Sequence, residues 1–194
     1  KSFNLIGFDT NQQRISELIN HKDVNNDISD ENLKVLNKNS KLTSEIAEIV
    51  GCNIFIITVP TPINDDKTPN LDPLIKSSEL VGSIINKGAI VIYESTVYPG
   101  VTDEVCTPIL EKKSMLKFNK EFSTGYSPER IVPGDKENTI EKIKKVVSAS
   151  NANALKTISF IYSSIIDAGI YMATSIKVAE AAKVTENIQR DVNI

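Results

Sequence analysis

Short unbroken apolar runs alternate along this chain with longer stretches where apolar side chains return every three or four residues. The clearest run is AIVIY (89–93), followed at once by Glu94, Ser95 and Thr96 and closed by Pro99-Gly100. A run of this kind ending in small hydroxylic residues predicts a parallel strand buried on both faces. Its polar residues then stand at the strand's carboxyl end, where open α/β sheets collect ligands. A buried strand followed by an ordinary turn reads the same way. FNLIGFD (3–9) is a shorter run ending in an acid, and NIFIITV (53–59) a second strongly buried strand. Residues 121–127, 144–149 and 168–172 complete the main strands, with Leu42-Thr43 as a short edge strand.

Helical spacing fills the intervals. Asn11 caps a helix over 12–20, with Ile15, Leu18 and Ile19 on one side. Ser29 caps a short helix through Leu36, and residues 44–50 predict a short amphipathic helix. Asp72 and Pro73 are placed at the N-cap and first position of a helix over 73–86, and Gly88 marks the turn back to 89–93. Thr102 caps a helix to about Met115; residues 138–143 and 151–166 are helical; Ser175 caps a last helix still running at Ile194. Strand and helix in alternation predict a mostly parallel, doubly wound α/β sheet.

Composition narrows the function classes. The 194 residues carry a net charge of −3 and no long basic run, so nucleic acid is not an expected partner. No stretch approaches the roughly 18–20 apolar residues of a membrane span, and no signal peptide opens the chain. The first residue is Lys1, so the true start is expected to lie upstream. Two cysteines make neither a disulfide framework nor a metal cluster, and the expected setting is the reducing cytoplasm. Cys106, among apolar neighbours, reads as a small core residue rather than a nucleophile. The single histidine, His21, reads as a solvated loop residue; no metal site is expected.

Several polar positions stand out against this frame. In a dinucleotide fold an acid ending the second strand binds the adenosine ribose, a role open to Asp9; the plain reading is that Asp9 begins a turn. Arg14 could lie over the adenine, pair with Asp9, or be solvated. Pro60 and Pro62 stiffen the turn that holds the Thr61 hydroxyl. Residues 127–135 are dense in charges and turn formers, and Glu129-Arg130 there is either a salt bridge or an acid beside a phosphate-binding arginine. On the last helix Lys177, Glu180, Lys183, Asn187, Arg190 and Asp191 recur at three- and four-residue steps, either as a wet face or as the lining of a cleft.

Five segments in order, IGFD with Arg14, TVPTP, YESTVYPG, GYSPERIVPGD and SIKVAEAAKVTENIQRDVNI, together resemble the nucleotide-sugar 6-dehydrogenases, the family containing UDP-glucose dehydrogenase. YESTVYPG with SPERIVPGD is most similar to the branch that oxidises UDP-N-acetylhexosamines for capsule and O-antigen synthesis. The resemblance implies NAD as cofactor, a UDP-N-acetylhexosamine substrate oxidised at C6 to the uronate by two hydride transfers, and a homodimer. Residue by residue, it gives Asp9 and Arg14 to the adenosine ribose, and Thr61 and Thr96 to the cofactor, with Thr96 also near the reacting centre. Glu129 becomes the carboxylate that assists proton transfer or positions water. Arg130, Ile131 and Arg190 become substrate contacts, and Lys183 and Asn187 the pair around the C6 oxygen. It further implies an NAD-binding Rossmann-like domain over 1–173 and the start of a long central helix over 174–194.

Two departures qualify the resemblance. The family opens with a strand and a glycine-rich turn for the pyrophosphate, and this sequence starts where the second strand would begin. In strand order 3-2-1-4-5-6 that strand is central, so unpaired ladder groups are expected on its neighbours. The family's catalytic cysteine lies beyond the central helix, and neither Cys52 nor Cys106 stands in a matching motif. These residues are therefore expected to correspond to the cofactor half of such an enzyme and not to complete the reaction alone. A non-catalytic nucleotide-binding module on the same scaffold, or a related hydroxyacid or sugar-phosphate dehydrogenase, are the alternatives.

Overall fold

The computed structural model describes residues 3–25, 28–130 and 140–193. The chain divides into two compact units, Lys1–Val50 and Gly51–Ile194, each with its own sheet.

In the first unit β1 (Leu5–Phe8) pairs in parallel with β2 (Ser40–Thr43), in register from Leu5 opposite Ser40 to Phe8 opposite Thr43. Between them lie α1 (Gln12–Ile19) and α2 (Asp30–Asn39). Both caps follow the sequence reading: Asn11 Oδ1 accepts the Arg14 amide at 3.1 Å and Ser29 Oγ accepts the Asn32 amide at 3.3 Å. The helix expected over 44–50 is only a 3₁₀ turn at Ile46–Glu48. Thr43 Oγ1 accepts the Glu45 amide at 3.0 Å, which closes a side-chain turn where a helix would nucleate.

The second unit holds a five-stranded sheet in the order β3-β4-β5-β6-β7. The strands are β3 (Ile54–Ile57), β4 (Ala89–Tyr93), β5 (Phe122–Tyr126), β6 (Lys145–Ala149) and β7 (Ile170–Met172). β3, β4 and β5 run parallel; β6 is antiparallel to β5, and β7 is parallel to β6. Around the sheet pack α3 (Asp72–Gly82), α4 (Thr107–Ser114), α5 (Ala152–Ser163) and α6 (Ile176–Val192).

β4 shows why its sequence is unbroken. Ala89, Val91 and Tyr93 point into one core with Leu74 of α3 and Leu110 of α4. Ile90 and Ile92 point into a second core with Ala154, Ile158 and Tyr162 of α5. With both faces covered the one polar side-chain atom on the strand, the Tyr93 hydroxyl, is paired with Ser78 Oγ at 2.8 Å, and each large aliphatic contributes about 1.5–3 kcal/mol by leaving water. α5 comes so close to β5 that a Cβ on Gly125 would lie 2.3 Å from Ile158 Cδ1. β3 is less buried than its sequence suggests, because it is an edge strand and leaves Ile56 44% exposed. Among the described residues β1 pairs only with β2 and β3 only with β4.

Three helix starts differ from expectation. α3 begins at Asp72 rather than being capped by it: Leu71 occupies the cap position, and Asn70 Oδ1 accepts the Asp72 amide at 2.8 Å. Thr102 does not cap the helix before Met115. Val101 is already helical, Thr102–Cys106 form a π-helical turn leading into α4, and the Thr102 hydroxyl is turned toward α6. Of the helix expected over 138–143, a 3₁₀ turn at Ile140–Lys142 is seen, and residues 138 and 139 lie outside the described residues. α6 is capped as expected, with Ser175 Oγ accepting the Val178 amide at 3.2 Å. Among the described residues no helix is long and apolar enough to cross a membrane.

Candidate functional site

The carboxyl ends of β3, β4 and β5 open into one cleft of about 320 Å³. The turn after β3 supplies Thr58, Val59, Pro60 and Thr61, β4 continues into Glu94, Ser95 and Thr96, and the segment after β5 adds Glu129. Three parallel strands ending at one place give the crevice in which open α/β sheets bind ligands. Ser95 Oγ donates to the Val59 carbonyl at 2.6 Å and clasps the first two turns together. Thr96, next in sequence, stays exposed. Thr61 Oγ1 is buried and has no hydrogen-bond partner among the described residues, although it lines the cleft. A buried hydroxyl without a partner is costly, and a ligand in the cleft removes that cost. In this respect the residues present fit a dinucleotide.

A second group adjoins the first through Glu129. Glu129 Oε1 accepts the Arg130 amide at 2.6 Å. The Arg130 guanidinium donates from Nε to Glu186 at 2.9 Å and from Nη1 to the Lys144 carbonyl at 3.1 Å, so it is a salt bridge from the β5 segment to α6. Lys183 lies on the same helix and is only 6% exposed. Burial holds its ammonium below the ordinary lysine range, Glu186 and Glu129 oppose that shift, and Arg190 and Arg130 add to it. Asn187 Oδ1 accepts from the Arg190 guanidinium. Glu129, Arg130, Lys183 and Arg190, with Asn187 held by Arg190, therefore form one polar group, with Thr61 and Thr96 in the adjoining cleft. Ile131 lies outside the described residues.

In the first unit Asp9 stands exposed past the end of β1, with Oδ1 accepting the Asn11 amide at 2.8 Å. A carboxylate there can still accept from ribose hydroxyls. Arg14 does not pair with Asp9; its Nη1 meets Asp23 Oδ1 at 2.7 Å, and Asp23 also accepts the amides of Asn25 and Ile28.

The structure adds residues that the sequence did not single out. Glu94 lines the cleft while its oxygens accept from Tyr162 of α5 and, at 3.2 Å, from Lys145 of β6. Burial, then the Glu94 charge, push the Tyr162 phenol well above its usual range. Glu180, read as part of a charged stripe, is fully buried and accepts from the Gly100 amide, the Thr102 amide and the Thr102 hydroxyl at 2.6, 3.0 and 2.7 Å. Glu186 emerges as the partner of Arg130. Lysine before an apolar run and tyrosine on an amphipathic helix carry no signal of such pairing. Cys106 is a core residue as read, with burial pushing its thiol up to about 12.

Residues 1–166 match the family model described as "UDP-glucose/GDP-mannose dehydrogenase family, NAD binding domain". A UDP-N-acetyl-D-glucosamine 6-dehydrogenase of Salmonella typhi is 56% identical over all 194 residues, which cover 45% of that protein. Protein CapL of Staphylococcus aureus is 52% identical over 190 residues, 98% of this chain and 44% of CapL. Among solved structures, a UDP-D-ManNAc dehydrogenase from Pyrococcus horikoshii superposes with a TM-score of 0.88 at 28% identity, covering 99% of this chain and 46% of the other. The chain thus spans about half the length of the curated relatives it matches. Its doubly wound sheet, its cleft at the strand ends and these matches agree: the chain belongs to the UDP-glucose/GDP-mannose dehydrogenase family and carries that family's NAD-binding domain.

Proposed function

We propose that the complete protein oxidises C6 of a UDP-N-acetylhexosamine to the uronate with NAD, as part of capsule or O-antigen synthesis. The name of the Salmonella typhi relative, a UDP-N-acetyl-D-glucosamine 6-dehydrogenase, favours the glucosamine epimer. The observation that carries the reading is Lys183, a buried lysine with a depressed pKa grouped with Glu129 beside a cleft lined by hydroxyls.

NAD, when bound, accepts the hydride from C6. Asp9 and Arg14 hold the adenosine ribose, and Thr61 and Thr96 contact the cofactor, with Thr96 also near the reacting centre. Lys183 stabilises negative charge growing on the C6 oxygen, an interaction stronger in the transition state than in the ground state. Asn187 orients the same oxygen, and Glu129 takes a proton or positions water. Arg130, Ile131 and Arg190 hold the nucleotide sugar. In this reading residues 1–173 form the cofactor domain and residues from 174 on begin the central helix of a cytoplasmic homodimer. The reading includes neither a nucleic-acid nor a membrane partner; a net charge of −3 with no long basic run argues against the first.

The test is NADH formation by the protein expressed from its complete gene, with UDP-N-acetylhexosamines as substrates. Lys183→Ala is expected to lower turnover by about 10²–10³-fold, with NAD affinity within about twofold. Loss of NAD affinity with unchanged turnover per bound cofactor would sink the placement of Lys183. With no hexosamine oxidised by the unaltered protein, the functional reading itself fails.

A further inference from the structure

Glu94 lines the cleft, yet none of the steps above uses it. We propose that Glu94 is a positioning residue: its carboxylate, braced from behind by Lys145 and Tyr162, fixes the turn that carries Ser95 and Thr96 into the cleft. The inference rests on reading that cleft as the place where dinucleotide and sugar meet.

The brace joins three elements. Glu94 follows β4, Lys145 opens β6, and Tyr162 lies in the last turn of α5. The Tyr162 hydroxyl donates to one carboxylate oxygen and Lys145 Nζ to the other at 3.2 Å. Lys145 Nζ also stands 5.4 Å from the centroid of the Tyr162 ring, so the phenol meets both charges. The side chains of Lys145 and Glu94 are 4% and 12% exposed, which makes this a buried ion pair. Replacing such a pair with apolar side chains is often neutral or stabilising, so stability alone gives little reason for it.

The backbone shows what the brace holds. The Glu94 amide donates to the Ile57 carbonyl at 2.9 Å, and Ser95 Oγ donates to the Val59 carbonyl at 2.6 Å. These two bonds tie the turn to the β3 side. The Glu94 carboxylate ties it to β6 and α5 on the other side. Thr96 is the next residue, and its place in the cleft follows from both ties. Lys145 also offsets one of the two carboxylates, Glu94 and Glu129, that line the same cleft.

Two variants separate positioning from packing. Tyr162→Phe removes one hydrogen bond and keeps the ring; Glu94→Gln keeps the shape and removes the charge. Each is compared with the unaltered protein by hydrogen exchange without ligand and by steady-state kinetics of the protein expressed from its complete gene. Faster exchange is expected at residues 95–97 in both variants, with residues 90–92 as protected as before. Turnover is expected to fall about 10-fold, with KM for NAD within about twofold, because a small displacement of a group beside the reacting centre is costly. Glu94→Asp is not expected to restore turnover, since the shorter side chain cannot reach both donors. Unchanged exchange at 95–97 overturns the proposal, whatever happens to turnover. If Glu94→Gln does not fold, Tyr162→Phe decides alone. If the unaltered protein oxidises no UDP-N-acetylhexosamine, the functional reading falls and the exchange result still decides the brace.

Discussion

Glu94 and Glu180 are both withdrawn from water in the same unit, and they are satisfied in opposite ways. Glu180 reaches from α6 to the first residues of the helical segment that leads into α4, where it accepts two backbone amides and one hydroxyl. Those amides have no partners within their own helix, and the positive end of the helix dipole favours a carboxylate there. None of these donors is a cation. Glu94 instead has a lysine and a phenol behind it and a cleft in front. A buried charge is therefore no sign of function by itself. Neutral donors from one neighbouring helix indicate a fastening between helices, whereas a brace on one side leaves the other open to a ligand.

The comparison can be broken, most severely at Glu180. Glu180→Ala orphans three buried donors and is expected to cost about 3–5 kcal/mol of stability, read as a lower urea midpoint at constant slope. A loss below about 1 kcal/mol would mean that Glu180 fastens nothing. Lys145→Met leaves the Glu94 carboxylate without its cation and is expected to cost less, about 2–3 kcal/mol, because that carboxylate still meets the cleft. Adding Glu94→Gln should recover most of this, a coupling that a double-mutant cycle reads directly. Cys106 sharpens the contrast from the Glu180 side. With burial as the main cause of a thiol pushed up to about 12, and Glu180 adding to it, Cys106 should resist a thiol reagent at about pH 8 while half-buried Cys52 reacts. Labelling of Cys106 in the folded protein would show that this core opens. The smallest effect is expected at Lys177→Ala. Its pair with Glu104, at 2.6 Å, is more than half exposed on both sides, so the urea midpoint should hardly move.

Much of this architecture is legible in the sequence because local rules produced it. The AIVIY run predicts β4, and Asn11, Ser29 and Ser175 each accept the amide three residues on, as their positions require. Thr61, Thr96 and Glu129 come together because polar residues ending parallel strands collect at one edge. Other features depend on partners far along the chain. Nothing near Thr102 announces that its hydroxyl turns to Glu180, 78 residues away. On α6, Glu180 and Lys183 repeat with the spacing of a wet face, yet tertiary contacts bury both while Val178 and Ile188 stay exposed. Arg14 had three readings, and its partner proved to be Asp23, in a loop whose polar composition gives no pairing preference.

The reversal of one strand has a consequence for the chemistry of the cleft. Tyr126 of β5 lies opposite Ser148 of β6, so β6 enters beside the end where β5 leaves. Its first residue, Lys145, is thus delivered to the cleft end of the sheet, and α5, returning the other way, brings Tyr162 there in its last turn. Were β6 parallel to its neighbour, both groups would sit at opposite poles from Glu94. A slip of a single residue in the β5–β6 pairing would turn the lysine to the opposite face and leave Glu94 without the positive charge behind it. The electrostatic sign of this site is thereby encoded in strand direction and alignment as much as in the identity of any residue that faces the ligand.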